Sequence, residues 1–204
     1  MSWSRGTVPM KLALDILQGL GLASATGLRP FLPALLAGAL ASGDVGLDFD
    51  GTAFAFLESP WWLLALALAL VASVFARRVL ETSRGEAAMS GIGIGLGALL
   101  CAASIDDRHS TWWYGLIIGA AFAYLASSVS RQLFARVRAR FASADDAAAA
   151  AALPFYGEAA GLVVAGASIL FPPLSLLAVG FLIALLVTGR RRSDQKYAGL
   201  RILR

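Results

Sequence analysis

The sequence predicts an all-α fold: a polytopic transmembrane helical bundle with two proline-broken segments and about six membrane-crossing helices. Three observations carry that expectation. The chain is 58% hydrophobic and only 15% charged, against about 25% charged residues in a soluble domain. Its charges gather in short clusters separated by apolar stretches long enough to cross a bilayer. Basic clusters at 77–86, 131–140 and 190–204 are set apart from acidic loops at 43–58 and 105–110, as the two sides of a membrane demand.

The elements follow in order. Residues 1–11 carry Arg5 and Lys11 and read as a short cytoplasmic segment. Ala23-Ser24-Ala25 resembles a signal-peptide cleavage site. The apolar character resumes after Arg29-Pro30, which favours a retained helix. The stretch 12–42 has 31 residues, roughly 46 Å as one helix and too long for an upright span. Pro30 and Pro33 interrupt it, because proline removes a backbone donor and clashes with the preceding turn. Either one broken span or a re-entrant hairpin fits this pattern. With basic residues before it and acids after it, a single crossing is expected.

Residues 43–58 form a loop with Asp44, Asp48, Asp50 and Glu58 and no basic residue. Further spans are expected at 61–76, 87–104, 111–130, 157–171 and 174–189, the last two meeting at Phe171-Pro172-Pro173. Between them lie the arginine-rich linkers 77–86 and 131–140 and the acidic turn 105–110. Ser143-Ala144-Asp145-Asp146 and the alanine run behind it suggest a short helix on the membrane surface. The basic tail 190–204 closes a single membrane domain spanning 12–189. Basic linkers mark the cytoplasmic side, which places both termini in the cytoplasm. Trp61-Trp62 and Trp112-Trp113-Tyr114 each open a span beside an acidic loop, and such rings settle at the interface.

Few residues could carry chemistry. Arg29 sits between apolar stretches beside a proline break. It is the candidate to bind an anionic group such as a phosphate or carboxylate. The structural alternative is an arginine that snorkels to headgroups. Glu158 is a candidate counter-charge or proton carrier, or else an acid stabilising the first turn of a helix. Asp15 is a third intramembrane charge, placed to pair locally with Lys11 four residues before it. Gly91, Gly93, Gly95 and Gly97 form a small-residue run suited to close helix packing. Lacking a preceding strand, they do not form a dinucleotide fingerprint.

His109 stands near Asp106 and Asp107 in one short polar turn, which reads as solvated rather than as a metal site. No nucleophile set, phosphate loop or zinc motif is present. The expectation is therefore a non-enzyme without cofactor or metal. Its partners would be anionic lipid headgroups, an anionic small molecule or lipid, or a second copy of the chain. The basic balance faces lipid, and nucleic acid is not expected.

The segment from Gly19 through Gly27-Leu28-Arg29-Pro30-Phe31-Leu32-Pro33, with Ser59-Pro60-Trp61-Trp62 and the Glu158-led stretch through Phe171-Pro172-Pro173, resembles DUF4126, a bacterial family of polytopic membrane proteins without an assigned activity. The resemblance covers most of 12–189. It implies a multi-pass protein of the bacterial cytoplasmic membrane and brings no activity with it. After the second span the family carries acidic and lysine residues, where Arg77-Arg78-Val79-Leu80-Glu81 stands here. Three readings stay open: a small transporter or lipid-handling protein, a non-catalytic scaffold or accessory protein, and a lipid enzyme. The last would require Asp15, Arg29 and Glu158 to converge.

Overall fold

A computed structural model describes residues 7–80, 82–106, 112–144 and 147–198. Arg5 and the turn containing Asp107 and His109 lie outside the described residues, as do the side chains of Lys11 and of the basic tail. Among the described residues every regular element is helical. They are α1 (Thr7–Leu28), α2 (Phe31–Ala41), a 3-10 turn (Ala55–Glu58), α3 (Pro60–Phe75), α4 (Arg77–Leu80), α5 (Ser83–Asp106), α6 (Trp112–Ala144), α7 (Ala147–Leu170) and α8 (Leu174–Ala198).

The segments Ser83–Ile105 and Trp112–Val137 are long and apolar enough to cross a membrane. The other apolar helical stretches, such as Leu12–Leu28 and Pro60–Phe75, are shorter. Large apolar side chains remain on the outside: Trp61 is 82% and Phe75 84% exposed at the two ends of α3.

Glycine-mediated approaches fix the direction of each helix. A Cβ at Gly19 would meet Cys101, one at Gly97 would meet Ala23, and one at Gly93 would meet Thr26. Helix α1 therefore runs antiparallel to α5. Gly115 meets Ala102 and Gly119 meets Ala98, which sets α6 antiparallel to α5. Gly21 lies on Ser168 and Gly157 on Arg29, so α7 is antiparallel to α1. Pro33 touches Gly161 and Leu36 lies near Gly166, so α2 runs with α7 and against α1.

Of the two arrangements open for 12–42, one broken span or a hairpin, this relation gives the hairpin. Arg29 donates its backbone N–H to Ala25 O at 3.1 Å, the last turn of α1. Pro30 then has no N–H to continue the ladder, and the chain reverses. Thr7 and the loop 43–58 consequently lie at the same end of the bundle. We refer to it as the loop end, and to the opposite one, with the α1–α2 turn and α4, as the Arg29 end.

The loop is packed rather than extended. Phe49, Phe54 and Leu57 are buried in the core. Gln18 donates its side-chain amide to Gly46 O at 2.8 Å, and Gly46, at φ +74, lies against Ile169. Phe54 meets Trp112 edge-on at 5.9 Å and Phe56 meets Trp62 at 5.4 Å. The two aromatic clusters thus gather at the loop end.

Two further expectations change. The alanine run opens α7 itself rather than a separate surface helix, since α7 begins at Ala147 and continues past Pro154. Alanine is the strongest helix former. Glu158 is therefore deep in α7 and far from its first turn, so the helix-dipole account of that residue does not apply. The proline break at 171–173 is as expected: α7 stops at Leu170 and α8 starts at Leu174, with Ser175 Oγ donating to Pro172 O at 2.6 Å.

Candidate functional site: a charged cavity at the Arg29 turn

The reversal at Pro30 leaves Arg29 at the C-terminal end of α1, facing α6 and α7. Its Cζ lies 5.3 Å from the centre of the Phe134 ring, within the range of a cation–π contact. Its Nε lies 3.9 Å from Glu158 Oε1. That separation is Coulombic, longer than a hydrogen bond. Both side chains are 24% exposed, so each keeps partial access to the cavity beside it.

Space for the guanidinium comes from α7. A Cβ on Gly157 would fall 2.8 Å from Phe134 Cζ and 2.9 Å from Arg29 Nε. One turn on, a Cβ on Gly161 would fall 3.2 Å from Pro33 Cγ and 3.4 Å from Ala25 O. A larger residue at 157 would oblige the Phe134 and Arg29 side chains to shift. Glycines four apart give one helix face the room to hold a charged side chain against a neighbouring helix.

Around the pair lies a cavity of about 220 Å³. Its charged lining comes from Arg29, Glu86, Arg131 and Glu158, on four different segments of the chain. Ser90 on α5 and Ser127 on α6 line it as well, and Ser90 Oγ donates to Ser127 Oγ at 3.0 Å. Leu70 and Val74 of α3 and Met89 of α5 close the apolar wall. Ser90 is seven residues into α5, roughly 10 Å from its start. The cavity is thus set inside the bundle from the Arg29 end. Guanidinium donors and hydroxyls facing one small space can hold an acidic group, the guanidinium in a bidentate grip, while the Glu86 and Glu158 carboxylates compete with it for the same donors.

A second cavity of about 360 Å³ adjoins it. This one is almost wholly apolar, bounded by α6, α7 and α8 through residues such as Leu133, Val164, Phe181 and Leu182. Leu28, Ser130 and Phe134 line both cavities.

Both proline breaks, Arg29, Glu158 and the glycines beside them fall within residues 16–192, the span matched by the family profile described as Domain of unknown function (DUF4126). The chain belongs to the DUF4126 family. No curated protein and no solved structure matches it.

Of the residues singled out from this DUF4126 sequence, Arg29 and Glu158 come together at the cavity. Asp15 does not. It lies fourteen residues before Arg29 on α1, roughly 21 Å away along the axis. Asp15, Arg29 and Glu158 do not converge, so the lipid-enzyme constellation that needed all three together is absent. The glycine run divides by face. Gly93 and Gly97 press on Thr26 and Ala23 of α1, whereas Gly91 and Gly95 have nothing within 4 Å. Within one chain only the first pair makes the close helix contact expected of all four.

Sequence reasoning missed Glu86, Arg131, Phe134 and the Ser90–Ser127 pair. They come from distant segments and carry no local motif. The Gly157–Gly161 spacing was the available signal for where Arg29 is received. At the loop end of this DUF4126 protein, carboxylate oxygens of Asp48, Asp50 and Glu58 lie within 4.8 Å of one another. Glu58 accepts a hydrogen bond from the Phe49 N–H, and Asp48 Oδ1 accepts one from the Asp50 N–H at 2.9 Å. Partial burial, helped by Asp50, Asp48 and Asp44, raises the Glu58 carboxyl above its ordinary range despite the Phe49 hydrogen bond.

Proposed function

We propose that the protein is an integral membrane protein, a small transporter or lipid-handling protein, that binds an anionic group in the Arg29 cavity. The supporting observation is the arginine itself: a guanidinium set beside Glu158 and over Phe134, opening on a cavity shared with Arg131, Glu86 and two serines. A charge so placed is costly unless it has a partner or a ligand. The apolar α5 and α6, and the apolar residues exposed along α3, support the membrane setting.

In this reading Glu158 balances Arg29 when the cavity is empty, and an incoming anion replaces it as partner. Such exchange favours ligand binding when Glu158 takes up a proton. The reading assigns no catalytic step. By the charge rule the Arg29 end, with Arg84, Arg131 and Arg136, faces the cytoplasm. Helix α8 then ends inside and Thr7 lies outside.

The test is binding of phosphate-bearing solutes and anionic lipids to purified protein, comparing wild type with Arg29→Ala and Arg29→Lys. Loss of one charge-assisted hydrogen-bonding group lowers affinity about tenfold or more. Identical affinities across the panel would remove the main support.

The scaffold reading has one observation in its favour. Gly91 and Gly95, four apart on α5, face open space in the single chain, a geometry that lets a second copy approach closely. Gly91→Leu with Gly95→Leu would then shift the oligomer to monomer in mild detergent. A monomeric wild type counts against it.

A further inference from the structure

The two cavities differ in chemistry yet share a wall. The first carries Arg29 and Arg131 with Glu86, Glu158 and the serine pair. The second offers almost no polar surface and runs along α7 from Tyr156 to Val164 and along α8 from Leu185 to Ala178. Phe134 stands between them, one side under the Arg29 guanidinium and its edge against Gly157. Viewed along the bundle axis, the apolar cavity extends from the level of Arg29 toward the loop end, because α7 runs in that direction. A molecule lying across Phe134 would have its acidic end at Arg29 and its hydrocarbon pointing toward the middle of the bundle. That is how a lipid of the cytoplasmic leaflet is oriented when the Arg29 end faces the cytoplasm.

Building on the proposed anion binding, we propose that the ligand is an amphiphile. Its phosphate- or carboxylate-type head occupies the Arg29 cavity and one hydrocarbon chain fills the apolar cavity between α6, α7 and α8. Arg29 and Arg131 grip the head, and Phe134 is the saddle over which the chain bends. Hydrocarbon already in the bilayer gains little from a second apolar environment. Selectivity therefore comes from the head, and the apolar cavity decides how the molecule lies.

Photolabelling tests this in phosphatidylcholine nanodiscs. The probe is a long-chain alkyl phosphate with a diazirine at mid-chain, and its control is the same chain ending in a hydroxyl. Adducts mapped by mass spectrometry are expected at the Val164, Ala178 and Leu182 wall. Their yield should fall about tenfold with Arg29→Ala, in line with loss of a charge-assisted hydrogen bond, and by a similar factor with the hydroxyl control. Ala178→Trp and, separately, Leu182→Trp fill the apolar cavity at a distance from Arg29 and should remove the adducts.

Thermal stabilisation of wild type and Arg29→Ala by inorganic phosphate is measured alongside and reports on anion binding alone. Stabilisation that needs Arg29, with adducts scattered over the outer surface, overturns the amphiphile and leaves the anion reading standing. Adducts at the wall that ignore both Arg29 and the head group are bulk lipid and also overturn it. Failure of both assays disposes of both readings.

Discussion

Arg29 and Glu158 should be energetically coupled, and a double-mutant cycle measures by how much. Two unit charges interact by about 4 kcal/mol at 4 Å with an effective dielectric of 20, and by about 1 kcal/mol in water. Here the closest atoms are 3.9 Å apart and each side chain is 24% exposed. Screening by cavity water therefore brings the coupling to about 1–2 kcal/mol. The single changes cost more than this term. Arg29→Ala leaves Glu158 without its counter-charge and removes a contact to Phe134 of about 0.5–1 kcal/mol. Breaking a fully buried pair costs about 3–5 kcal/mol, and partial exposure reduces the expectation to about 2–3 kcal/mol. Wild type, Arg29→Ala, Glu158→Gln and the double variant would be unfolded at equilibrium in mixed dodecyl sulfate micelles. The double variant should lose less than the sum of the singles by the coupling energy. Additivity within about 0.3 kcal/mol would refute the pairing, and with it the role of Glu158 as the resting partner of Arg29.

Three further outcomes are expected. Gly27→Ala places a Cβ 2.3 Å from Ala123 O and should cost about 1–3 kcal/mol by forcing α1 from α6. Gly91→Ala meets nothing within 4 Å and should be neutral or stabilise by up to about 1 kcal/mol. The same unfolding assay ranks the two, and a reversed order contradicts the assigned helix faces. Glu58→Gln keeps an acceptor for the Phe49 N–H and removes a carboxyl whose folded value is raised above 4.5. A raised acid holds its proton more tightly in the folded state, so wild-type stability is fullest below 4.5 and declines as pH rises through the folded value. The advantage of Glu58→Gln should thus grow over that window, and a pH-independent difference speaks against burial as the cause. For orientation, cysteines introduced at Asp50 and Arg136 in a Cys101→Ala background should label from opposite sides of the membrane, with an N-terminal tag on the side of Asp50. A tag on the side of Arg136 contradicts the reversal at Pro30.

Local signals made most of the helices legible. Charge clusters and paired tryptophans located α3, α5 and α6, and Pro172-Pro173 located the junction of α7 and α8. The direction of α2 was not legible. Pro30 shows where the hydrogen-bond ladder stops, but the angle at which the chain leaves depends on Pro33 seating against Gly161 and Leu36 approaching Gly166, contacts across about 130 residues of sequence. Counting charges linked a basic end to an acidic end and so gave one crossing, whereas the hairpin brings Thr7 and the loop 43–58 to the same end of the bundle. Glu158 was misplaced for a related reason. The apolar stretch begins near Gly157, but helix formation is set by backbone propensity, and Ala147–Ala152 carry the helix two turns and more upstream. The cavity was only half legible: a charge beside a proline break pointed to Arg29, whereas its neighbours are brought in by tertiary packing alone.

The same geometry explains why an arginine is tolerated among apolar helices and separates its structural role from a binding one. The last four carbonyls of a helix have no intrahelical partner, and their end carries partial negative charge. A cation on the residue that follows α1 is favoured by that charge, by about 0.3–1 kcal/mol where its side chain stays within the last turn. Reversing the chain at Pro30 therefore creates a place where a positive group is favoured before any ligand arrives. Lysine would satisfy this requirement, since only charge is involved. Lysine would not reproduce the flat guanidinium over Phe134 or its two-pronged grip on an acidic group. If Arg29 serves only to close the helix, Arg29→Lys costs no more than the Phe134 contact of about 0.5–1 kcal/mol and leaves every binding property of the wild type unchanged. If it holds a ligand, Arg29→Lys keeps the fold and loses the binding, which is why the conservative variant is more informative than the alanine.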